Sequence, residues 1–223
     1  IGRRQYCSQS VIVAKDGSLI WYNDAGRIYC YENAANMEPG IFRDTKNHWA
    51  KDQIALLAGE DILNGTGDGY FSPETKVTRS QFVQMLSKFS GEDCSAYTTD
   101  EFADVGSGDW YAPAVAWAVE HGITTGSGNG LFSPNAPITR QDMAVMLYRM
   151  IVDEGISTKT DAYAFTDADS IADYAKDAVY ALKNMGIISG NPDGSFNPEG
   201  ATTRAEAAVL LYKTLDAMGK ILR

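Results

Sequence analysis

The spacing of the hydrophobic residues changes near residue 41. Before that point, the segment SVIVAKDGSLIWYNDAGRIYCYEN alternates apolar and polar residues and contains the turn signals KDGS and NDAG. Such alternation predicts short strands joined by hairpins, so residues 1–40 are expected to include a small antiparallel β-meander. We interpret this stretch as the tail of an upstream domain or as a short cap.

From residue 41 onward, a helical apolar pattern occurs three times. Aligned on Gly65, Gly126 and Gly190, the copies keep their register without a gap, with periods of 61 and 64 residues. In each copy an aromatic residue precedes this glycine by 16 positions, and a Phe follows it by 6, a Pro by 8 and an Arg by 14. Self-similarity of this kind is the signature of a repeat architecture. The predicted units are 41–100, 101–163 and 164–223.

Each unit is predicted to consist of a helix, a glycine-rich loop and a second helix. The first helix is expected to end at Gly122 or Gly186 in copies two and three, since a left-handed residue is the usual stop. Copy one has Asp61 at this position, which predicts a weaker end. Because two helices and a loop cannot close a core alone, the three units are expected to share one.

The second helix of each unit opens on a Thr-Arg pair. The Thr lies where an N-cap belongs, and a Gln, Asp or Glu follows three residues later, which is the pattern of a capping box. The Arg lacks such an explanation, because a cation in the first turn opposes the helix dipole. It could form an ion pair with the carboxylate of a Phe-x-Asp motif, or it could bind an anion together with exposed helix amides. The arginines are Arg79, Arg140 and Arg204, and the carboxylates are Asp44, Asp104 and Asp167.

The aromatic residue at the start of each first helix can also be interpreted in two ways. Such residues are commonly part of the core, but indole and phenol rings also suit stacking on the apolar face of a sugar. The three residues are Trp49, Trp110 and Tyr174.

Composition and charge narrow the range of partners. The net charge of −10 argues against duplex nucleic acid, because phosphate binding needs a clustered basic face. No apolar run approaches the roughly 18 residues that span a bilayer, so membrane insertion is not expected.

The chain opens on Ile1 without a signal-peptide pattern, so any targeting segment is expected to have been removed or to lie upstream. Cys7 and Cys30 could pair only if Cys7 folds back, since the outer strands of a meander lie about 10 Å apart.

The sequence offers no catalytic or metal-binding set that recurs in the repeats. If Gly194 were position six of an EF-hand loop, position twelve would be Gly200 instead of the required bidentate Glu. No Ser/His/Asp or Cys/His set recurs. We therefore expect neither catalysis nor a cofactor nor a metal in residues 41–219.

Together, these elements resemble the surface-layer homology (SLH) domain family over about residues 41–219. The matching motifs are Phe-x-Asp, the aromatic-Ala start, Gly-Ile-x-x-Gly, Gly-x-Phe-x-Pro and the Thr-Arg-Ala-Glu-like opening. The resemblance implies a mainly α fold in which three helix-loop-helix repeats form a pseudo-threefold, three-pronged assembly with grooves between its lobes. It also implies non-covalent anchoring to a secondary cell-wall polysaccharide, often a pyruvylated glycan, at the surface of Gram-positive bacteria.

Carried over position by position, the resemblance implies a ligand-binding role for three residues in each copy. Only copy three has the complete motif TRAE, whereas copies one and two read TRSQ and TRQD. We therefore expect unequal grooves, with Arg204 and Arg140 contributing more than Arg79. Alanine at these arginines is expected to change stability by less than about 1 kcal/mol, as at an exposed position. The implied site residues are Arg79, Arg140, Arg204, Trp49, Trp110, Tyr174, Asp44, Asp104 and Asp167.

Two other functions stay open. The repeats could be a structural array for self-assembly or protein contacts, in which case the arginines would be buried and paired with carboxylates. Alternatively, they could tether an enzyme whose catalytic domain lies upstream.

Overall fold

The computed structural model describes residues 12–13, 19–22, 28–31, 42–158 and 165–219. Strands β1 (Ile12–Val13), β2 (Leu19–Tyr22) and β3 (Ile28–Tyr31) form an antiparallel sheet with β2 in the centre. This is the meander that the alternating pattern predicts. The suggested pairing of Cys7 with Cys30 lies outside the described residues.

Among the described residues six α-helices follow, two in each repeat, which confirms the helix-loop-helix prediction. Asp61, Gly122 and Gly186 follow the first helices with φ angles of 59°, 64° and 73°. Asp61 thus adopts the same left-handed conformation as the two glycines. The helices are α1 (Lys51–Gly59), α2 (Arg79–Ser90), α3 (Ala112–Glu120), α4 (Arg140–Asp153), α5 (Asp173–Asn184) and α6 (Arg204–Ala217).

The helices pair across repeats. Helix α2 packs against α3, α4 against α5, and α6 against α1. Each pair therefore joins the second helix of one repeat to the first helix of the next. Because the last pair connects the third repeat to the first, the arrangement closes into a ring with three prongs, and the predicted pseudo-threefold assembly is confirmed.

A triangle of backbone hydrogen bonds links the three repeats. Val77 N donates to Thr202 O at 3.0 Å, Ile138 N to Val77 O at 3.0 Å, and Thr202 N to Ile138 O at 3.4 Å. All three residues are buried. Buried amide and carbonyl groups need partners, and here each repeat finds its partners in the other two.

The loop phenylalanines fill the space between the helices. Phe71, Phe132 and Phe196 are at most 1% exposed. Each ring packs against the Phe of the Phe-x-Asp motif, with a centroid distance of 5.3 Å between Phe42 and Phe71. A Cβ atom on Gly65 would lie 2.6 Å from the Phe42 ring, so this close approach requires glycine at the alignment anchor.

Candidate functional site

The loop of the next repeat caps the first turn of each second helix. In α6, Arg204 N donates to Thr75 O and Ala205 N to Pro73 O, both at 2.9 Å. Equivalent pairs join α2 to the loop of the second repeat and α4 to the loop of the third. The exposed first-turn amides that the anion-binding hypothesis requires are therefore not available, and that part of the hypothesis is wrong.

The N-cap threonines behave as predicted, but only two of the three capping boxes form. Thr78 with Gln81, and Thr203 with Glu206, make both reciprocal bonds. The Thr139 side chain accepts from Asp142 N at 3.2 Å, while the Asp142 carboxylate is bound by Arg79 and Tyr174 instead. The prediction of a complete box in the second repeat is wrong, because the shorter Asp side chain turns outward.

Each arginine reaches into the loop of the next repeat. Arg204 donates from Nε to Phe71 O at 2.9 Å and from Nη2 to Asn64 O at 2.7 Å. Its guanidinium lies over the Phe71 ring, 4.5 Å from the centroid, in cation–π geometry. Arg79 and Arg140 contact Phe132 and Phe196 in the same way. The three arginines therefore connect the repeats around the ring.

Burial of two arginines corrects the expectation of exposed side chains. Arg79 is 4% exposed and Arg204 is 5% exposed. Desolvation lowers the pKa of both guanidinium groups below their usual 12.5. The side chain of Arg140 retains 20% of its exposure.

The Phe-x-Asp carboxylates do not form the ion pairs that the sequence left open. Asp44 accepts hydrogen bonds from Phe71 N at 2.9 Å and from Ser72 N at 2.7 Å, and among the described residues it has no ion pair with an arginine. Asp104 and Asp167 bind the corresponding loop amides at 2.7–2.8 Å. The loop phenylalanine is thus held twice, because the carboxylate binds its N–H and the guanidinium of a neighbouring repeat binds its C=O.

The three aromatic residues at the starts of the first helices lie on the surface. Trp49, Trp110 and Tyr174 are 63%, 61% and 59% exposed. The interpretation of these rings as core residues is therefore wrong. Large aromatic rings exposed at equivalent positions are available for stacking on a ligand.

Groove A is the cleft between α2 and the start of α3, and it encloses about 380 Å³. Arg204 and Lys88 supply its cationic groups, and no carboxylate is among its lining residues. A recess of about 280 Å³ continues past Trp110 and Lys88 towards residues 92–95. The polar and aromatic lining consists of Asn64, Thr66, Gln81, Gln84, Lys88, Trp110 and Arg204.

Groove B is the equivalent position at the second repeat, lined by Arg79, Asp142 and Tyr174. Arg79 Nη1 lies 3.0 Å from Asp142 Oδ2, and the Tyr174 hydroxyl donates to Asp142 Oδ1 at 2.8 Å. Burial and this hydrogen bond to a carboxylate raise the pKa of Tyr174, which keeps the phenol protonated as a donor.

Groove C is the equivalent position at the third repeat, lined by Arg140 and Glu206, with Trp49 preceding the adjoining helix α1. Its cavity encloses about 50 Å³. Arg140 Nη1 and Glu206 Oε1 are 4.0 Å apart, and the other Glu206 oxygen caps Thr203 N at 2.7 Å. The ion pair in groove C is therefore looser than the one in groove B.

Sequence reasoning missed the second cation of groove A. Lys88 follows the anchor glycine by 23 residues, and Arg149 and Lys213 lie at the same offset in the other copies. A basic residue conserved in register across all three repeats was the signal that could have identified it.

Comparison with known proteins identifies the family of the repeats. The sequence profile of the S-layer homology domain matches residues 41–83, 101–144 and 164–208. The chain therefore belongs to the S-layer homology domain family, whose repeats are non-catalytic modules that anchor proteins to the bacterial cell surface. In the part of the chain that the structure describes, no helix is both long and apolar enough to cross a membrane.

Relatives of the chain include enzymes and S-layer proteins. It is 39% identical over 186 residues to an amylopullulanase of Thermoanaerobacterium thermosulfurigenes, covering 81% of this chain and 10% of that protein. It is 40% identical over 181 residues to the exoglucanase XynX of Acetivibrio thermocellus, covering 78% of this chain and 16% of the relative. An S-layer protein of Bacillus thuringiensis subsp. finitimus is 30% identical over 168 residues, covering 75% and 20%. The chain thus spans a fifth or less of the length of these relatives. Its membership of the family and its S-layer relatives indicate a location at the cell wall or cell surface.

Proposed function

We propose that the chain is a non-covalent anchor that binds an anionic, pyruvylated secondary cell-wall polysaccharide through the grooves between its repeats. Groove A carries this proposal, because Trp110 and Arg204 line the same cleft. The exposed indole offers a flat surface for the apolar face of a sugar. The guanidinium and the Lys88 ammonium offer charged donors for a carboxylate.

Local charge explains how an acidic chain would bind an anion. The net charge of −10 opposes the approach of a polyanion, so binding requires donors that outweigh this field at short range. Groove A meets that requirement, since it combines two cationic groups with neutral Gln81, Gln84 and Asn64. The carboxylate of a pyruvate ketal on a sugar fits such a lining.

The structural role of the arginines supports their role as ligand donors. Arg204 is fixed by two backbone carbonyls and by the Phe71 ring, so its guanidinium is already oriented before a ligand arrives. A preorganised donor lowers the entropy cost of binding. Asp44, Asp104 and Asp167 would act as positioning residues, because they hold the loops that the arginines grip.

A structural array is the second candidate function. Burial of Arg79 and its pairing with Asp142 are what that function predicts. The exposure of Trp49, Trp110 and Tyr174 favours the glycan anchor, because rings used only to hold the repeats together would be covered.

The relatives also suggest what such an anchor carries. Two of them are named as enzymes that act on polysaccharides, and each is several times longer than this chain. We infer that the repeats themselves are not catalytic and that they would tether a cargo domain in a longer protein.

Co-sedimentation of the full chain with purified cell-wall sacculi tests the anchor function. We expect the chain to pellet with intact sacculi and to stay in solution after the secondary polysaccharide has been extracted. Trp110→Ala should weaken binding roughly tenfold, which corresponds to about 1.4 kcal/mol. Tyr70→Ala is the matched control, because Tyr70 is an exposed aromatic residue, 45% accessible, at the tip of a loop.

Binding that survives extraction of the polysaccharide would show that another wall component is the ligand. Equal binding by the wild type and Trp110→Ala would remove groove A from the proposal. Concentration-dependent self-association without any wall binding would favour the structural array.

A further inference from the structure

Groove B already contains an anion, the carboxylate of Asp142. One oxygen lies 3.0 Å from Arg79 Nη1 and the other accepts from the Tyr174 hydroxyl at 2.8 Å. The three residues come from three different repeats, since Arg79 is in the first, Asp142 in the second and Tyr174 in the third. A cation, an aromatic donor and a carboxylate thus converge at the position where groove A offers Arg204 and Trp110 to a ligand.

Residue 142 differs from its two counterparts in length, charge and direction. Gln81 and Glu206 hold the same place in their helices, and both turn back to accept from the N-cap amide, at 3.2 and 2.7 Å. Asp142 is shorter than Glu206 and, unlike Gln81, is charged. Its carboxylate therefore lies across the groove and not against its own helix.

Arg204 in groove A has no such internal partner. Within residues 42–158 and 165–219, no carboxylate lies within salt-bridge distance of its guanidinium. Asp44 is the acidic group that affects it most, and both Asp44 oxygens are held by the amides of Phe71 and Ser72. The neutral Gln81 lines the groove at the position where Asp142 lies in groove B.

We propose that Asp142 is a specificity-determining residue, a built-in anion that closes groove B to acidic ligands and leaves groove A as the principal binding site. This inference rests on the proposed function. An acidic sugar entering groove B would have to displace Asp142 from Arg79 and Tyr174, and the two negative charges would then repel each other in a partly buried site. In groove A the same sugar meets a cation without a competing carboxylate.

The looser pair in groove C gives an intermediate case. Arg140 and Glu206 are 4.0 Å apart, and Glu206 is shared with the N-cap of α6. The order of ligand access that follows is groove A first, groove C second and groove B last.

A reciprocal exchange of the two side chains tests the inference. Calorimetric titration of the full chain with a pyruvylated N-acetylmannosamine monosaccharide counts sites, because this probe is monovalent. Asp142→Asn removes the internal charge and should add one site to the number found in the wild type. Gln81→Asp places a carboxylate beside Arg204 and should remove one site. Asp177→Asn, which loses the same charge on the exposed face of α5, should leave the number unchanged.

Melting curves recorded beside each titration show that the variants are folded. If Asp142→Asn does not fold because Arg79 loses its partner, Gln81→Asp decides the question alone. Unchanged site numbers in the folded variants, with normal binding by the wild type, would overturn the role of Asp142 and leave the anchor function intact. Absence of binding by the wild type and by every variant would overturn both.

Discussion

At the scale of single residues, Thr202 combines a structural role with an unmet hydrogen-bonding need. It closes the backbone triangle with Val77 and Ile138, but among the described residues its buried hydroxyl has no partner. Leaving a buried polar group unsatisfied costs about 1–3 kcal/mol. We expect Thr202→Val to raise the free energy of unfolding by about 1 kcal/mol, as measured by urea denaturation.

Thr214 provides the matched control. It is also fully buried, but its hydroxyl donates to Leu210 O at 2.8 Å. Thr214→Val should therefore give no gain. If both substitutions stabilise the chain equally, added apolar volume is the cause and the orphaned hydroxyl is not.

The arginines give the second prediction at this scale. Arg204→Ala leaves Phe71 O and Asn64 O without their donor, so the free energy of unfolding should fall by about 2–4 kcal/mol. Arg43→Ala, at an exposed arginine, should change it by less than about 0.5 kcal/mol. Chemical denaturation of the two variants under identical conditions makes the comparison. Equal and small effects would restore the exposed-arginine interpretation.

The sequence could predict the caps but not the arginine partners. Thr78, Thr139 and Thr203 act on amides three residues away, and such local bonds can be read from spacing. Arg204 and its acceptor Phe71 O are 133 residues apart, and they meet only because the ring closes. Whether Trp110 is buried or exposed could not be decided from its local sequence for the same reason, since this depends on how α3 packs against a helix of another repeat.

At the scale of elements, the carboxylate of Glu92 holds the connector, which is the segment that joins α2 of the first repeat to α3 of the second. This carboxylate accepts from the Tyr97 hydroxyl and from Trp117 Nε1, the latter at 2.9 Å. His121 Nε2 lies 3.3 Å from Glu92, and His121 Nδ1 lies 2.7 Å from Asp153. The connector, α3 and α4 thus share one polar cluster.

The cluster predicts a dependence of stability on pH. Hydrogen bonds from Tyr97 and Trp117 lower the pKa of Glu92 below its usual 4.5, and the bond to Glu92 raises the pKa of Tyr97 to about 12. A depressed carboxyl pKa contributes stability above the unfolded-state value and loses it as the pH falls through the folded-state value. The wild type should therefore melt at a higher temperature than Glu92→Gln at neutral pH, and this difference should become smaller below pH 4.5.

Glu101→Gln serves as the control for this series, because Glu101 is an exposed carboxylate just after the same connector. Its melting temperature should follow that of the wild type across the whole range. A constant difference between the wild type and Glu92→Gln from neutral to acid pH would show that packing, and not the charge of Glu92, holds the connector.

At the scale of the whole molecule, the order of contacts around the ring explains why three repeats are needed. The pairing of α6 with α1, the Arg204 contacts and the backbone triangle all join the end of the chain to its beginning. The sequence predicted a shared core, because each apolar helix face lacks a partner within its own repeat. Which helices pair could not be read from the sequence, since α1, α3 and α5 occupy the same place in their repeats and each presents buried apolar residues.

Closure of the ring predicts that the repeats melt together. Deleting residues 164–223 removes α6, the helix that packs against α1, and α1 carries two residues, Ile54 and Leu57, that are fully buried in the intact chain. We expect the remainder to be molten or aggregated, whereas residues 41–223 alone should melt in one sharp transition. Calorimetry and the dispersion of the amide NMR spectrum distinguish the two states. A sharp calorimetric transition and a dispersed spectrum for the truncated chain would show that two repeats close a core without the third, and that closure of the ring adds stability without being required for folding.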